Sequence, residues 1–490
     1  MTHFDVARRF LDIAEKYAAH PAIVMENEHV TYNELLQLTQ SWLALFSGHQ
    51  QPRIAIALPP GAAAYAAMFA SLLSGGTYTP INLRAPEAKR NSICSAFQPD
   101  FILAPAEEAA RLSRHAPHAH LAAAPNDSPP SSIHQVNRDD QPAPAYVIFT
   151  SGSTGTPKGV VIGREALNHY IAWALQSLAL TSDDRVSQYA NIAFDLSVLE
   201  IFATLCSGAS LHPASGLGDR LRPARLIARD RLTVWISVPS VVGIMQHAGD
   251  LTTANLQSIR RFTFCGEPLL PAHVEALFEG APDAEIQNTY GPTEATVSMT
   301  SIVFDRRNAA SACRDSVSLG HAIPGMAVHK GEDGELLLSG PQLADGYLND
   351  PVTTARAFIV LDGPDGPVRA YRTGDRVAFH DGLPYFSNRL DFQIKHKGFR
   401  IELGEIVAAF ATVGYRHVCV FTNEAHLVAI VEGAPTDDVM TLRQTLGRQL
   451  AAYAIPDIIT AMPTLPRNEN DKIDRLAIMA RFQQSLPRTP

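Results

Sequence analysis

The stretch Thr150-Ser151-Gly152-Ser153-Thr154-Gly155-Thr156-Pro157-Lys158-Gly159, directly after the apolar run Tyr146-Val147-Ile148-Phe149, decides how the rest of the chain is read. Its glycines let the backbone approach a ligand and turn N–H groups toward it, its hydroxyls add donors, and Lys158 adds a point charge. That inventory suits phosphate groups. It is not a Walker A loop, because Lys158 follows Pro157 and no Ser or Thr comes after it. It is not a nucleophile elbow either, since no G-x-S-x-G register fits. On composition alone, a plain Ser/Gly-rich surface loop between strand and helix stays open beside the phosphate reading.

Working outward, strand and helix patterns alternate. Residues 4–17 read as an amphipathic helix, and Thr31 with Glu34 has capping-box spacing for a second helix toward Phe46. Residues 54–58 form a short apolar strand stopped by Pro59-Pro60, and the Ala-rich helix after it runs to Leu73 and ends at Gly75-Gly76. The rhythm recurs at 146–149, 233–238, 261–265 and 285–288, which predicts a mainly parallel sheet covered on both faces. Residues 117–144, rich in Pro, Ala, Ser and Asn without periodicity, read as a surface connection. Turn chemistry at 331–340 and 362–367 marks a β-rich region near 315–385. After Asn388 the character changes: a charged strand leads to Glu402, a helix runs toward Thr412, and a strand pair near 418–431 precedes a helix over 441–453. That tail reads as a small α+β unit of its own.

At about 150 residues per domain, 490 residues make two or three units. Apolar residues are 46% and charged residues 18%, enough for a sizeable core. Forty Lys+Arg against 49 Asp+Glu give a net charge of −9, which argues against a nucleic-acid-coating surface. The five cysteines (Cys94, Cys206, Cys265, Cys313, Cys419) are odd in number, scattered and without a CxxC pair. They argue against a disulfide framework or a cysteine zinc site and suit a reducing compartment. The longest apolar run, 61–73, is too short to span a bilayer, and Asp5, Arg8 and Arg9 precede any apolar run, unlike a signal peptide. A cytoplasmic protein without membrane insertion is expected.

TSGSTGTPKG resembles the phosphate loop of the acyl-adenylate-forming superfamily, which includes acyl-CoA synthetases, luciferases and the amino-acid adenylation domains of peptide synthetases. The superfamily's other motifs follow in order. Leu73-Ser74-Gly75-Gly76-Thr77-Tyr78-Thr79-Pro80-Ile81 resembles an early G-G-Y-P motif, and Phe194-Asp195-Leu196-Ser197-Val198-Leu199-Glu200 the segment that begins an amino-acid pocket. Asn288-Thr289-Tyr290-Gly291-Pro292-Thr293-Glu294 matches N-x-Y-G-P-T-E; Gly334-Glu335-Leu336 and Gly346-Tyr347-Leu348 match the next motif, and Tyr371-Arg372-Thr373-Gly374-Asp375 matches Y-R-T-G-D. Arg389-Leu390-Asp391 with 395–405 is similar to the hinge and its loop, and Asn470-Asp471-Lys472-Ile473-Asp474-Arg475 to a terminal N-G-K-x-D-R. The likeness covers about residues 10–480.

The resemblance implies an α/β fold: a large N-terminal domain of α/β sheets with a small β-barrel-like part over 1–388, a hinge at 389–391, and a small mobile α+β domain over 392–490. It implies ATP and Mg²⁺. Thr150, Ser151, Gly152, Ser153, Thr154, Gly155 and Lys158 would cradle the β,γ-phosphates, and Glu294 would help hold Mg²⁺, which takes only one or two carboxylates. Asp375 would accept from the ribose hydroxyls, Arg389 would face ribose or phosphate, and Gly266, Asn288 and Tyr290 would surround adenine, with Tyr290 stacking on its face. Glu267, Gly291 and Thr293 complete the nucleotide side. Lys472 would bring a cation between the substrate carboxylate and the α-phosphate. Asp391 would be the hinge residue and Gly398 would line a thiol tunnel. Two departures stand out: Asp471 replaces the Gly before the lysine, and Asn388 the Gly before the hinge Arg.

By the same resemblance, Asp195 would pair with an α-ammonium, which selects an amino acid over the fatty and aryl acids of an acyl- or aryl-CoA synthetase, the alternative reading. The other pocket positions are Leu196, Leu199, Ser237, Thr263, Cys265, Thr289, Val297 and Ser298: small or mid-sized, uncharged and not aromatic. They imply a small uncharged amino acid. The run 262–267 and the segment 388–395 resemble the D-alanine–carrier-protein ligases, in which the equivalent of Cys265 lies beside the substrate's α-carbon. Stand-alone enzymes for proline or other small L-amino acids share the pattern. The acceptor would be the phosphopantetheine thiol of a separate carrier protein, since no carrier segment is found before Pro490.

Overall fold

Short apolar runs bounded by glycine, proline or polar turns become the strands of two stacked-in-sequence sheets. The computed structural model describes residues 4–26, 28–123, 144–150, 157–363, 366–390, 393–396, 399–423, 426–433, 438–467 and 473–485. By internal contacts the chain divides into two units: 1–83, 93–149 and 159–390 form the first, and 84–92, 150–158 and 391–490 the second.

In the first unit, a seven-stranded sheet runs Gly346–Tyr347, Lys158–Ile162, Tyr146–Thr150, Thr77–Pro80, Arg53–Ile56, Phe101–Leu103, His120–Ala122. Its inner strands are parallel, with Ile54 opposite both Tyr78 and Phe101. A nine-stranded sheet places Glu285–Tyr290, Arg261–Phe264, Val234–Ser237 and Arg185–Gln188 side by side. The first three of these are parallel and in step, so Ser237, Phe264 and Asn288 end in one row. Strand ends aligned in this way form a shelf on which loops can place ligand-binding groups.

The Ala-rich helix Ala62–Leu73 is buried along almost its whole length, as expected of a helix that is apolar all round. Phe69 packs against Phe10 with ring centres 3.9 Å apart and against Phe202 at 5.0 Å. The capping box at Thr31 and Glu34 forms at the start of Tyr32–Leu45. The β-rich region is a five-stranded antiparallel sheet in which the long strand Gly366–His380 pairs with Glu335–Ser339, Phe358–Gly363 and Leu383–Arg389.

The second unit has its own core, built on Ile401, Ile406, Phe410, Val420, Leu427, Leu442 and Leu446. The hairpin Gln393–His396 with Phe399–Glu402 leads into the helix Leu403–Thr412, and a three-stranded sheet follows. The helix predicted over 441–453 spans Val439–Leu446 instead. Gly447 ends it, and Arg443 turns to donate to the Pro456 carbonyl at 2.7 Å. The strand Ile458–Met462, which the periodicity did not reveal, pairs in parallel with His426–Glu432. No helix among the described residues is long and apolar enough to cross a membrane.

Candidate active site

The β-rich sheet and the nine-stranded sheet meet at a carboxylate. Antiparallel register sets Asp375 opposite Arg389, and the Arg389 guanidinium binds the Asp375 carboxylate while also donating to the Thr373 carbonyl at 3.1 Å. From the other sheet, the Tyr290 hydroxyl donates to Asp375 Oδ2 at 2.5 Å. Both Asp375 and Tyr290 are buried. Burial first, and then the neighbouring Asp375, push the Tyr290 phenol well above its ordinary pKa, so it remains a donor.

Asn288, two residues before Tyr290, donates from Nδ2 to the Ser318 carbonyl at 2.8 Å. Its Oδ1 is buried with no hydrogen-bond partner among the described residues. A buried unpaired acceptor is costly, and an exocyclic amine would satisfy it. Gly266 follows the strand end at a φ of +96°. Glu267 accepts the Ser240 N–H at 2.9 Å, closing the adjacent turn. Gly291 has no room for a side chain: an added Cβ would sit 2.7 Å from Ser298 Cα and 2.8 Å from the Val297 carbonyl oxygen.

Glu294 lies in the single turn Thr293–Ala295, buried, and accepts the Tyr347 hydroxyl at 2.7 Å. The Ala344 N–H fixes its backbone carbonyl at 2.8 Å. Among the described residues no group of three or more His, Cys, Asp or Glu could hold a metal ion. A single buried carboxylate with no such group around it among the described residues fits Mg²⁺ arriving with nucleotide phosphates and does not fit a resident metal cage.

The predicted pocket residues Cys265, Thr289, Val297 and Ser298 come together. Cys265 Sγ lies 3.5 Å from Ser298 Oγ and 3.6 Å from the Val297 carbonyl. Ser298 donates to Thr289 Oγ1 at 3.1 Å, and Thr289 donates to the Phe264 carbonyl at 3.0 Å. Tyr170, on the helix Arg164–Leu178, lies 3.5 Å from Ser298 through its hydroxyl. The wall opposite Gly291 is a tight turn in which both Thr296 and Val297 take left-handed backbone angles, φ 53° and 67°. For a β-branched valine that conformation is strained by roughly 1–3 kcal/mol, and such strain gathers where ligands bind. Thr263 instead turns its hydroxyl to Gln287 at 3.2 Å, and Ser237 is held between the Trp235 indole N–H and the Val238 carbonyl.

Asp195 is buried at 6% exposure, with Leu196 and Leu199 buried beside it. Its side chain does not cap the short helix Leu196–Val198 that it precedes. The Tyr146 and Tyr170 phenols both lie in its field: burial raises their pKa values first, and Asp195 adds to the effect. Thr150 ends one strand and Lys158 opens its neighbour in the seven-stranded sheet. Ser151, Gly152, Ser153, Thr154 and Gly155 between them lie outside the described residues, as do Asp391, Gly398 and Lys472. Tyr170 and Tyr347 are the contacts that sequence reasoning missed. Tyr347 stood inside a quoted motif, whereas Tyr170 falls at helical spacing and reads as core.

Residues 10–348 match the AMP-binding enzyme family. The chain belongs to that family, within the acyl-adenylate-forming superfamily, and is an ATP-dependent ligase of the adenylating kind. Among its relatives, the D-alanine--D-alanyl carrier protein ligase of Listeria monocytogenes serotype 4a (strain HCC23) is 31% identical over 88% of this chain and 87% of the relative. That of Staphylococcus epidermidis (strain ATCC 35984) is 31% identical over 93% and 95%. The isonitrile lipopeptide synthase of Streptomyces coeruleorubidus is 34% identical over 96% of this chain but only 33% of its own length. A solved structure of the Vibrio cholerae adenylation domain AlmE in complex with glycyl-adenosine-5'-phosphate superposes with a TM-score of 0.85 at 28% identity, covering 99% of both chains.

Proposed function

We propose that the protein activates a small uncharged amino acid with ATP and transfers it to the phosphopantetheine thiol of a separate carrier protein. The observation that carries this reading is the buried Asp195 carboxylate, whose charge reaches the same Tyr170 that touches the cluster of Cys265, Ser298 and Thr289. The α-ammonium of an amino acid is a cation that a buried carboxylate can hold.

In the first half-reaction the substrate carboxylate oxygen attacks the α-phosphorus of ATP. A P–O bond forms to the acyl group as the bond to pyrophosphate breaks, giving the aminoacyl-adenylate. Asp375, oriented by Arg389 and Tyr290, would accept both ribose hydroxyls, and the Asn288 oxygen would accept the adenine amine. Mg²⁺ would offset phosphate charge, with Glu294 as its carboxylate. Residues 150–158 would cradle the phosphates and Lys472 would neutralise charge building at the α-phosphate. In the second half-reaction a thiolate attacks the acyl carbon, the thioester forms, and AMP leaves with the electron pair. Residues 389–391 as a hinge, with Asp391 at its centre, and Gly398 on the thiol path would serve that step.

The carrier-protein ligase relatives favour D-alanine and the glycyl-adenylate complex of AlmE favours glycine. Both are within reach of a pocket bounded by Cys265, Thr289 and Ser298. ATP–pyrophosphate exchange with D-Ala, Gly, L-Ala, Ser and Pro, beside acetate, propionate and benzoate, tests the proposal. Exchange with D-Ala or Gly is expected, and exchange only with acids lacking the amine would replace it with the CoA-synthetase alternative. Lys472→Ala should abolish exchange while leaving ATP binding intact.

A further inference from the structure

We infer that Glu200 is a positioning residue of the amino-acid site: its carboxyl group clasps the two ends of the segment that carries Asp195. The inference rests on the amino-acid reading of that site. Glu200 is fully buried within the π-helical turn Leu199–Ala203, just after Asp195–Val198. π-Turns interrupt the regular ladder, and they concentrate at functional sites. Across the segment, Glu200 Oε1 accepts the Tyr189 N–H at 2.8 Å, and its two oxygens accept the Ala190 N–H at 3.3 and 3.2 Å. The Gln188 amide donates to Oε2 at 3.3 Å, and that amide's oxygen accepts the Tyr65 hydroxyl at 3.0 Å.

Residues 191–199 thus leave from and return to one carboxyl group. Inside this closed segment the chain is bonded to itself: the Phe194 N–H meets the Asn191 carbonyl at 2.8 Å, and Ser197 Oγ meets the Ile192 carbonyl at 3.2 Å. Asp195 sits in the middle. A leucine or methionine would fill the same volume without the desolvation that raises the Glu200 carboxyl to about 8, against the pull of the Tyr189, Ala190 and Gln188 donors and of Arg220. What an apolar side chain cannot do is accept two backbone N–H groups and so fix the strand end to the turn. That specific task, closing the segment that carries the buried Asp195, identifies what the group is kept for.

The test is steady-state pyrophosphate exchange of the full-length chain with Glu200→Ala and Glu200→Gln, measuring KM separately for amino acid and ATP. Loss of the clasp should raise the amino-acid KM by roughly tenfold in Glu200→Ala with the ATP KM unchanged. Glu200→Gln, which keeps one acceptor oxygen, should lie between it and the parent. A merely structural role would move both KM values together or lower only the melting temperature, and that result overturns the inference. If Glu200→Ala does not fold, Glu200→Gln decides alone: an unchanged amino-acid KM sinks the idea. A parent enzyme that exchanges with no amino acid sinks the functional proposal and this inference with it, whereas an active parent with unmoved variants sinks the inference only.

Discussion

Replacing Asp375 by Asn should reveal how strongly the nucleotide side is held together. The Asp375 side chain is 3% exposed and that of its partner Arg389 11%, so both charges sit out of water. Removing one member of a buried pair leaves the other uncompensated and typically costs about 3–5 kcal/mol. Arg389 keeps the Thr373 carbonyl at 3.1 Å, and the Asn oxygen still accepts from Tyr290, which points to the lower end, about 3 kcal/mol. Arg389→Met should cost a similar amount by stranding the carboxylate. The double variant strands neither charge, so its loss should fall short of the summed singles by about 2–3 kcal/mol. Urea denaturation at neutral pH, followed by tryptophan fluorescence, measures all four proteins of the cycle. Additivity to within about 0.5 kcal/mol would refute the picture of a desolvated, mutually dependent pair.

Three further outcomes follow from single contacts. Burial raises the folded pKa of Glu200 to about 8, above its unfolded value, so the folded state binds the extra proton in between and stability falls as pH rises through that window. The stability of the parent relative to Glu200→Gln in chemical denaturation should therefore fall with rising pH by at most about 1.4 kcal/mol per unit between roughly pH 5 and 8, and a flat difference would contradict it. Gly291→Ala should disturb the amino-acid pocket before the nucleotide side, because the atoms nearest its Cβ are backbone of Val297, Ser298 and Met299, and an unchanged amino-acid KM would show that the turn yields. Iodoacetamide at pH 8 should leave Cys94 and Cys206 unlabelled in the native protein, since burial pushes the Cys94 thiol up to about 11 and the Cys206 thiol higher still; rapid labelling of either would mean the core opens.

Much of the first unit was legible because its signals are local. The capping box at Thr31 and Glu34, the glycine-ended helix to Leu73 and the short apolar strands each announce themselves within a few residues. The Asp375–Arg389 pair was legible only as two motif fragments; their meeting depends on hairpin register, which no local pattern fixes. The strand Ile458–Met462 escaped notice because its pairing with His426–Glu432 is parallel and distant in sequence. The 441–453 helix was overdrawn because tertiary bonds from Arg443 outweighed helical propensity beyond Gly447. Tyr170 hid for a similar reason: an aromatic at helical spacing announces packing, and only the fold turns its hydroxyl toward Ser298.

The left-handed pair Thr296 and Val297 has a bearing on how this enzyme would drift under selection. Glycine at 297 would relax the turn, but it would also remove a side chain that is 1% exposed in the core, and that loss outweighs the strain relieved. The burial of the valine thus holds the turn in the conformation that the same valine strains.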